Sequence, residues 1–593
     1  MKNFLKTFLA VLCAMAVAGL LKMLVFFGVI GSLASLGSTR PVMPREGVLD
    51  INMSEFAVTE QTSESSFSLA SIGSATTPNV GMWDIIRAIN NAATDNTVKS
   101  IYLRPDGVTS GIAQLEEIRK ALTKFRESGK PVIAYTEAPS NGSMYLATAA
   151  DKIYMSSNRG GLNTFVGISS RMIFLKDLLD RLGVNFQLIR HGKFKSAGEM
   201  YIRSEASAEN LHQNQVLVNT IWREFSSAIA DSRDIETREL NALIDNLSLN
   251  FPEDFKQAGL VDETFDHAAL VEKMCLINGV PSEKDLHLIR ISDYIEARIA
   301  SAVSYKGDRV AIIFADGEIV DDKSDYDNVD GDRFAAIIND IREDKDIKSV
   351  VLRVNSPGGS VNAATKIKNA LDRLAEEKPV VASFGNYAAS GGYWISAGAA
   401  RIYSDATTLT GSIGVFSMIP EFSKTAKNLL HVNVTSVKSN RHSDMFSLMR
   451  PFDSAETAYM QSSVEDIYSQ FVALVAQGRG IAPHEVDEIA QGRVWAGSDA
   501  IDIHLVDEIG TLEDAIAYAA GLAGLEEDGY SIATYPRPLT TMESFMYSLG
   551  SKKNEPVILS GTPFEGIAKA LLNMKAHDPS KAYALMDYSL DIR

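Results

Sequence analysis

The sequence predicts an α/β protein made of two tandem copies of one domain behind an N-terminal transmembrane helix. Three observations predict it. Segments of the chain recur in the same order at a spacing of about 249 residues, which marks a duplicated domain rather than a short solenoid repeat. Within each copy, short β-branched apolar runs alternate with amphipathic stretches, the pattern of parallel βαβ units. Residues 7–37 form one long apolar run broken by a single charge, Lys22.

The apolar run comes first. A span needs roughly 20 apolar residues, whereas the core of a cleaved signal peptide is ~7–15 residues long. Cleavage near Ala34 has a weak small-residue signal, and a lipoprotein site at Cys13 is disfavoured by the bulky Leu12 before it. Lysine at the centre of a span costs about 2.5–3.5 kcal/mol, so the span is expected to begin near Met23. Lys2, Lys6 and Lys22 favour a cytoplasmic N-terminus, which puts the globular part outside the cytoplasm.

The repeat follows. SIYLRPDG (100–107) matches SVVLRVNS (349–356), GKPVIAY (129–135) matches EKPVVAS (377–383), AADKIYMSS (149–157) matches GAARIYSDA (398–406), and AGLVDE (258–263) matches IHLVDE (503–508). In the second copy RVAIIFA (309–315), SVVLRV and PVVASF read as buried strands, and RIYSD as a further one. RFAAIINDIRED (333–344) and residues 363–377 have helical spacing, and GGYWISAGA reads as a buried helix. Residues 205–247 and 454–490 read as helical excursions from the two copies. The expected organisation is an anchor (1–45), a first repeat (46–275), a linker (276–306) whose ISDYIEARIASA reads as helical, a second repeat (307–525) and a poorly informative tail (526–593).

Composition excludes several classes. At 46% hydrophobic and 22% charged, the chain is of ordinary globular type. A formal charge of −18 disfavours nucleic acid, which needs clustered Lys and Arg. Cys13 and Cys275 have no CxxC partner, so neither a zinc site nor a redox motif is expected.

Two stretches carry candidate chemistry. NSPGGSV (355–361) follows a strand, and its Gly-Gly pair permits close approach of amide N–H groups to a ligand. It reads either as a strand-to-helix turn capped by Ser360 or as an oxyanion hole; it lacks the lysine of a phosphate loop. AASGGYW (388–394) puts Ser390 at a helix start, as a cap or as a nucleophile favoured by the helix dipole. No GxSxG elbow is present, which disfavours an α/β-hydrolase.

A serine nucleophile needs a base. None of the nine histidines sits in a catalytic pattern; His191 and His442 are the nearest competitors. Lys193 and Lys195 lie in a small polar turn after the apolar NFQLIR. A lysine acts as a base when burial lowers its pKa. Aligning KIYM with RIYS places Asn141 opposite Ser390, and strand alignment places Ser443 opposite Lys195, so each copy keeps one half of a serine–lysine pair.

LRVNSPGGSV, ASGGYWIS, TLTGSIGV (408–415), QGRVWAGSDA (491–500) and GKFKSAGE together resemble the signal peptide peptidase A (protease IV) family in its long, double-domain bacterial form, over roughly residues 46–525. The resemblance implies a duplicated crotonase/Clp-protease-like superhelix, Ser390 as nucleophile and Lys195, rather than Lys193, as base. It also implies oxyanion donors from the backbone of Gly359 and Gly391, and no metal or other cofactor. It further implies a tetrameric ring, single-pass anchorage in the bacterial inner (cytoplasmic) membrane with the catalytic part on the periplasmic side, and cleaved signal peptides as substrates. His504 stands where the family has Gly, and Met200 where Pro often follows KSAGE. The alternatives are an inactive membrane scaffold of the same fold and a crotonase-like acyl-CoA enzyme; the latter has no use for a Ser390–Lys195 pair.

Overall fold

Short β-branched runs buried on both faces build two parallel sheets. The computed structural model describes residues 43–62, 77–299, 307–321, 328–526, 529–537 and 580–586, with Met15, Val17, Pro41 and Asp578. Most of the apolar run 7–37 lies outside these residues. Among the described residues no helix is long and apolar enough to cross a membrane.

The first copy contributes β1 (Gly47–Asn52), β2 (Ala57–Thr59), β3 (Asn79–Gly81), β4 (Val98–Arg104), β5 (Val132–Thr136), β6 (Lys152–Ser156), β7 (Asn185–Arg190), β8 (Glu263–Phe265) and β9 (Leu288–Arg290). The second contributes β10 (Arg309–Asp316), β11 (Ile319–Val320), β12 (Val329–Asp330), β13 (Ile347–Ser356), β14 (Gly358–Ser360), β15 (Val380–Ala389), β16 (Ile402–Ser404), β17 (Leu409–Gly411), β18 (Phe416–Glu421), β19 (Val494–Ala496), β20 (Glu508–Ile509), β21 (Ser531–Tyr535) and β22 (Tyr583–Leu585).

The first sheet runs β8-β6-β5-β4-β1-β9, parallel throughout. The second repeats that order as β20-β16-β15-β13-β10-β21, and β17 and β19 extend it from the far end of β15. The helices correspond as well. Ala208–Arg233 and Ser454–Arg479 are both 26 residues long, and Val361–Ala375 buries Ala363, Ala364, Ile367, Ala370, Leu371 and Leu374, the spacing of one helical face. His504, at φ +60°, keeps the left-handed turn that Gly259 makes at +73° in the first copy.

Two of the segments carry strands that the sequence did not show. Within 276–306, read as a linker, β9 is the edge strand of the first sheet; Ile291–Tyr294 is helical as expected, and Ile295–Ile299 continues with wider π turns. Within 526–593, read as a tail, β21 is the matching edge of the second sheet, and β22 enters a third. Short isolated strands such as LIR and YAL carry too little periodicity to be read without their partners.

That third sheet, β12-β11-β14-β22-β18-β7, crosses from one repeat to the other. β7 of the first copy pairs antiparallel with β18 of the second over six residue pairs, from Asn185↔Glu421 to Arg190↔Phe416.

Buried charge also joins the repeats. Arg353 on β13 is 1% exposed. Its Nε donates to Glu60 (2.8 Å) and its Nη2 lies 2.6 Å from Glu117, both carboxylates of the first copy. Its Nη1 donates to Ser383 Oγ (2.9 Å) and the Phe384 carbonyl (2.8 Å). Burial pushes the Glu117 carboxyl up, and the Arg353 guanidinium opposes that shift. Removing one partner of such a cluster leaves uncompensated buried charge, which costs ~3–5 kcal/mol. Arg353→Met is therefore expected to lower the thermal unfolding temperature by several degrees in differential scanning fluorimetry; an unchanged transition would show that the cluster does not hold the repeats together.

Candidate active site

The cross-repeat sheet delivers Lys195 to Ser390. After β7 the chain turns at Gly192, whose φ of +99° and crowding against the Gln491 backbone exclude a side chain. His191 N donates to Val415 O (3.1 Å) and Phe194 N to Gln491 O (2.9 Å), so the turn is held by the second repeat. Arg190 binds the Lys195 carbonyl and reaches Glu199 (3.3 Å), which is buried and also accepts from Asn210 Nδ2 (3.1 Å) and Ser207 N (3.2 Å). Lys195 packs against Gly492 and Gly414; an added Cβ would lie 2.5 Å from Lys195 Cβ at the first and 3.1 Å from its Cδ at the second.

Lys195 is 1% exposed and Ser390 is 0% exposed. Lys195 Nζ donates to Ser390 Oγ at 2.9 Å, to Ser412 Oγ at 3.0 Å and to the Ser412 carbonyl at 3.1 Å. Ser412 lies within TLTGSIGV, where its residue type gives no sign of this role. Its φ of +51°, in a residue other than glycine, fixes it where both its oxygens meet the amine, and its N–H donates to Arg493 O at 2.7 Å.

Ser390 begins the helix Gly391–Ser396 without capping it, at φ +55° and ψ −113°. Such a conformation costs of order 1–3 kcal/mol and persists only where its surroundings over-determine it. Here Ser390 N donates to Gly411 O and Trp394 N to Ser390 O, both at 2.8 Å. The corresponding helix of the first copy, Asn141–Ala147, shows what the same position does otherwise. Its N-cap is Ser140, one residue before the position opposite Ser390: the helix ends Ala147 and Ser396 and the turns that follow them keep the spacing of 249, so Asn141 stands at the nucleophile's place, where its Oδ1 accepts from Gly167 N and its Nδ2 donates to Gly167 O, both at 3.0 Å. Ser140 has ordinary extended angles, and its Oγ accepts from Ser143 N. The first copy has no hydroxyl at the nucleophile's place and caps its helix with the serine one residue earlier.

The other candidates lie elsewhere. Lys193 is exposed, with its Nζ over the Phe194 ring. His191 stacks on Tyr468 at 3.7 Å and bonds Glu465 through Nδ1 (2.6 Å). His442 bonds Glu456 (2.9 Å).

Gly358 and Gly359 adopt φ +98° and +154°. A Cβ on Gly358 would collide with Gly391 N and Ala584 O, and one on Gly391 would lie 3.1 Å from Gly359 N and 3.2 Å from Ala584 O. The backbones of Gly359 and Gly391 thus converge on one small space beside Ser390, and Ala584 O sits at it. Ser360 also caps the helix that follows, accepting from Ala363 N at 3.3 Å, as the turn reading of NSPGGSV expects. β22 lies antiparallel to β14, with Gly359 opposite Ala584, and meets β18 at Phe416↔Tyr583. Met586 N→Pro357 O (2.8 Å) and Val361 N→Ala582 O (3.4 Å) flank that pair, and the antiparallel alternation makes Gly359–Ala584 the hydrogen-bonded pair between them. Lys581 anchors the segment on Asp321 at 2.8 Å.

A buried amine on a serine hydroxyl, beside convergent N–H groups in a cleft that accepts an extended backbone, is the arrangement of a serine peptidase. Comparison with known proteins identifies which. The chain belongs to peptidase family S49, whose model matches residues 124–280 and 372–526, once in each repeat. It is 32% identical to Protease 4 of Haemophilus influenzae over 84% of this chain and 82% of that protein, and 36% identical to Protease 4 of Salmonella typhi over 79% and 76%. A putative signal peptide peptidase SppA of Enterococcus faecium is 38% identical over 31% of this chain and 53% of its own length.

Gly358→Ala strains a left-handed residue and drives a methyl into the convergent backbones. It is expected to lower kcat for peptide hydrolysis by ~10²–10³-fold, the usual effect of removing an oxyanion donor. Single-turnover kinetics checks this; near-normal chemistry would place the oxyanion contact elsewhere.

Proposed function

We propose that this peptidase is a membrane-anchored serine endopeptidase with a Ser390–Lys195 dyad that degrades signal peptides and other apolar peptides released in the membrane. The carrying observation is the 2.9 Å contact between Lys195 Nζ and Ser390 Oγ, both closed off from water. Burial favours the neutral amine over the ammonium, as a base requires. In the proposed mechanism Lys195 takes the hydroxyl proton as Ser390 Oγ attacks the scissile carbonyl. The N–H groups of Gly359 and Gly391 stabilise the tetrahedral oxyanion. Lys195 then protonates the leaving amine, and water hydrolyses the acyl-serine by the reverse proton route. Ser412 is proposed to hold the amine toward Ser390.

Substrate is proposed to bind as an added antiparallel strand between β14 and β18, where β22 lies, with a small residue at the position of Ala584. Signal peptides suit this reading: they are apolar and end in small residues. The apolar run at residues 7–37 supports single-pass anchorage in a bacterial inner membrane with the peptidase on the periplasmic side. The proposed architecture is a duplicated crotonase/Clp-protease-like superhelix, divided as anchor 1–45, repeats 46–275 and 307–525, an intervening 276–306 and a tail 526–593. The proposed assembly is a homo-oligomer, a tetrameric ring by resemblance.

Ser390→Ala and Lys195→Ala are each expected to lower hydrolysis of a short apolar peptide by at least ~10³-fold, with circular dichroism unchanged, while Lys193→Ala retains activity. Turnover persisting in either of the first two variants would refute the dyad. If β22 occupies the substrate's place, Tyr583→Asp, which puts a charge at a buried ring packed on Phe416, should lower KM for added peptide by about tenfold, because a tethered competitor acts at millimolar effective concentration. An unchanged KM would make β22 a fixed part of the sheet.

A further inference from the structure

The turn that carries Lys195 is held from outside by one face of a second-repeat helix. Ser454–Arg479 sets Gln461, Glu465 and Tyr468 on one stripe, at the i, i+4, i+7 spacing. Gln461 Nε2 donates to Glu465 Oε1 (2.6 Å) and reaches the Arg190 carbonyl (3.5 Å). Glu465 bonds His191 Nδ1, and the ring of Tyr468, 5% exposed, stacks on the His191 imidazole. These contacts fix the end of β7, where the turn begins.

The hydroxyl of Tyr468 acts on the other flank of the turn. It donates to Asp487 Oδ1 (2.5 Å), which also accepts from Gln491 Nε2 (2.7 Å). The same hydroxyl accepts from Gln491 N and Nε2, each at 3.4 Å. Gln491 has a φ of +55°, a left-handed conformation that residues other than glycine rarely adopt. Its carbonyl receives Phe194 N, and its backbone closes on Gly192. Gly492, next in the chain, packs against the backbone and Cβ of Lys195. Contacts therefore run from one tyrosine oxygen through Gln491 to the 192–195 turn.

The first repeat has the same scaffold without this feature. Trp222 and Tyr468 are each the fifteenth residue of their 26-residue helices, and Asn241 and Asp487 are each the fifth of the helix that follows. Trp222 Nε1 donates to Asn241 Oδ1 at 2.7 Å. An indole N–H can only donate, whereas a phenol donates and accepts together. Packing the two helices thus needs one donated hydrogen bond, and tryptophan supplies it. The accepting side of the Tyr468 hydroxyl, which meets Gln491, serves something that the first repeat lacks.

We infer that Tyr468 is a positioning residue for Lys195: with Asp487 it locks Gln491 in its left-handed conformation, and Gln491 holds the lysine turn against Ser390. The inference rests on the proposed dyad and adds to it a residue that touches neither substrate nor the reacting atoms. Loosening the lock lets water reach the amine, which favours the ammonium and weakens the base.

The test is hydrolysis of a short apolar peptide by the full chain across a range of pH. Tyr468→Phe removes one oxygen and keeps the stack on His191. Gln491→Gly keeps the left-handed backbone accessible and removes the anchoring amide. Each is expected to lower kcat by ~10-fold or more, with KM within about twofold, because misplacing a catalytic group by about 1 Å can cost ~10²-fold. The acid limb of kcat, which reports protonation of the base, should move up by ~0.5 pH unit or more. Asp487→Asn, which keeps the acceptor oxygen, should retain several-fold more activity than Asp487→Ala. A merely structural role would lower the folded fraction, and with it the amplitude at every pH, while the limb stays in place. An unmoved limb in Tyr468→Phe and Gln491→Gly overturns the inference and leaves the dyad standing as long as Lys195→Ala is inactive. Turnover by Lys195→Ala overturns both.

Discussion

The antiparallel register of β7 on β18 is the constraint on which the site depends. The lysine and the serine lie 195 residues apart in sequence and on different repeats, and their side chains meet at 2.9 Å. Nothing local could hold that distance. The ladder from Asn185↔Glu421 to Arg190↔Phe416 fixes where the first repeat's turn begins, and the backbone bonds from His191 and Phe194 to Val415 and Gln491 fix where it ends. A slip of one residue would reverse every side chain on β7. The Arg353 cluster works on the same boundary from the other side of the second sheet, bringing the carboxylates of Glu60 and Glu117 to a cation of the other repeat. Backbone pairing sets position and buried charge penalises separation.

Ser140 and Ser390 show how little of such a site resides in residue identity. Both are serines at the starts of equivalent helices in the same sheet topology, Ser140 one residue before the place that corresponds to Ser390. One has extended backbone angles and caps its helix. The other is held in a positive-φ conformation that withdraws its hydroxyl from the helix and presents it to the lysine. The strain is met by bonds on both sides of Ser390 and by the glycines packed around it, which leave no room for side chains.

The order of strands and helices was legible because buried parallel strands and amphipathic helices leave strong periodic signatures, and because the repeat shows each of them twice. Ser390 and Lys195 were legible for a different reason: each sits in a small-residue turn that its counterpart does not match. Ser412 was not, since its importance lies in a backbone angle and a carbonyl, and neither is written in side-chain type. β9 and β21, at sheet edges, and β22, inside the third sheet, are not legible because strands of three to five residues take their conformation from neighbours and carry little pattern of their own.

β22 says most about how the cleft works. Between β14 and β18 the sheet is joined only through β22, which pairs antiparallel with both. β22 has a small residue opposite Gly359: Tyr583 packs on Phe416, and the Ala584 carbonyl sits where the Gly359 and Gly391 backbones converge. If substrate takes the place of β22 as proposed, recognition is by main chain, which favours an extended, apolar backbone over one particular sequence. Side-chain discrimination is then confined to the few positions that face inward, such as that of the fully buried Ala584.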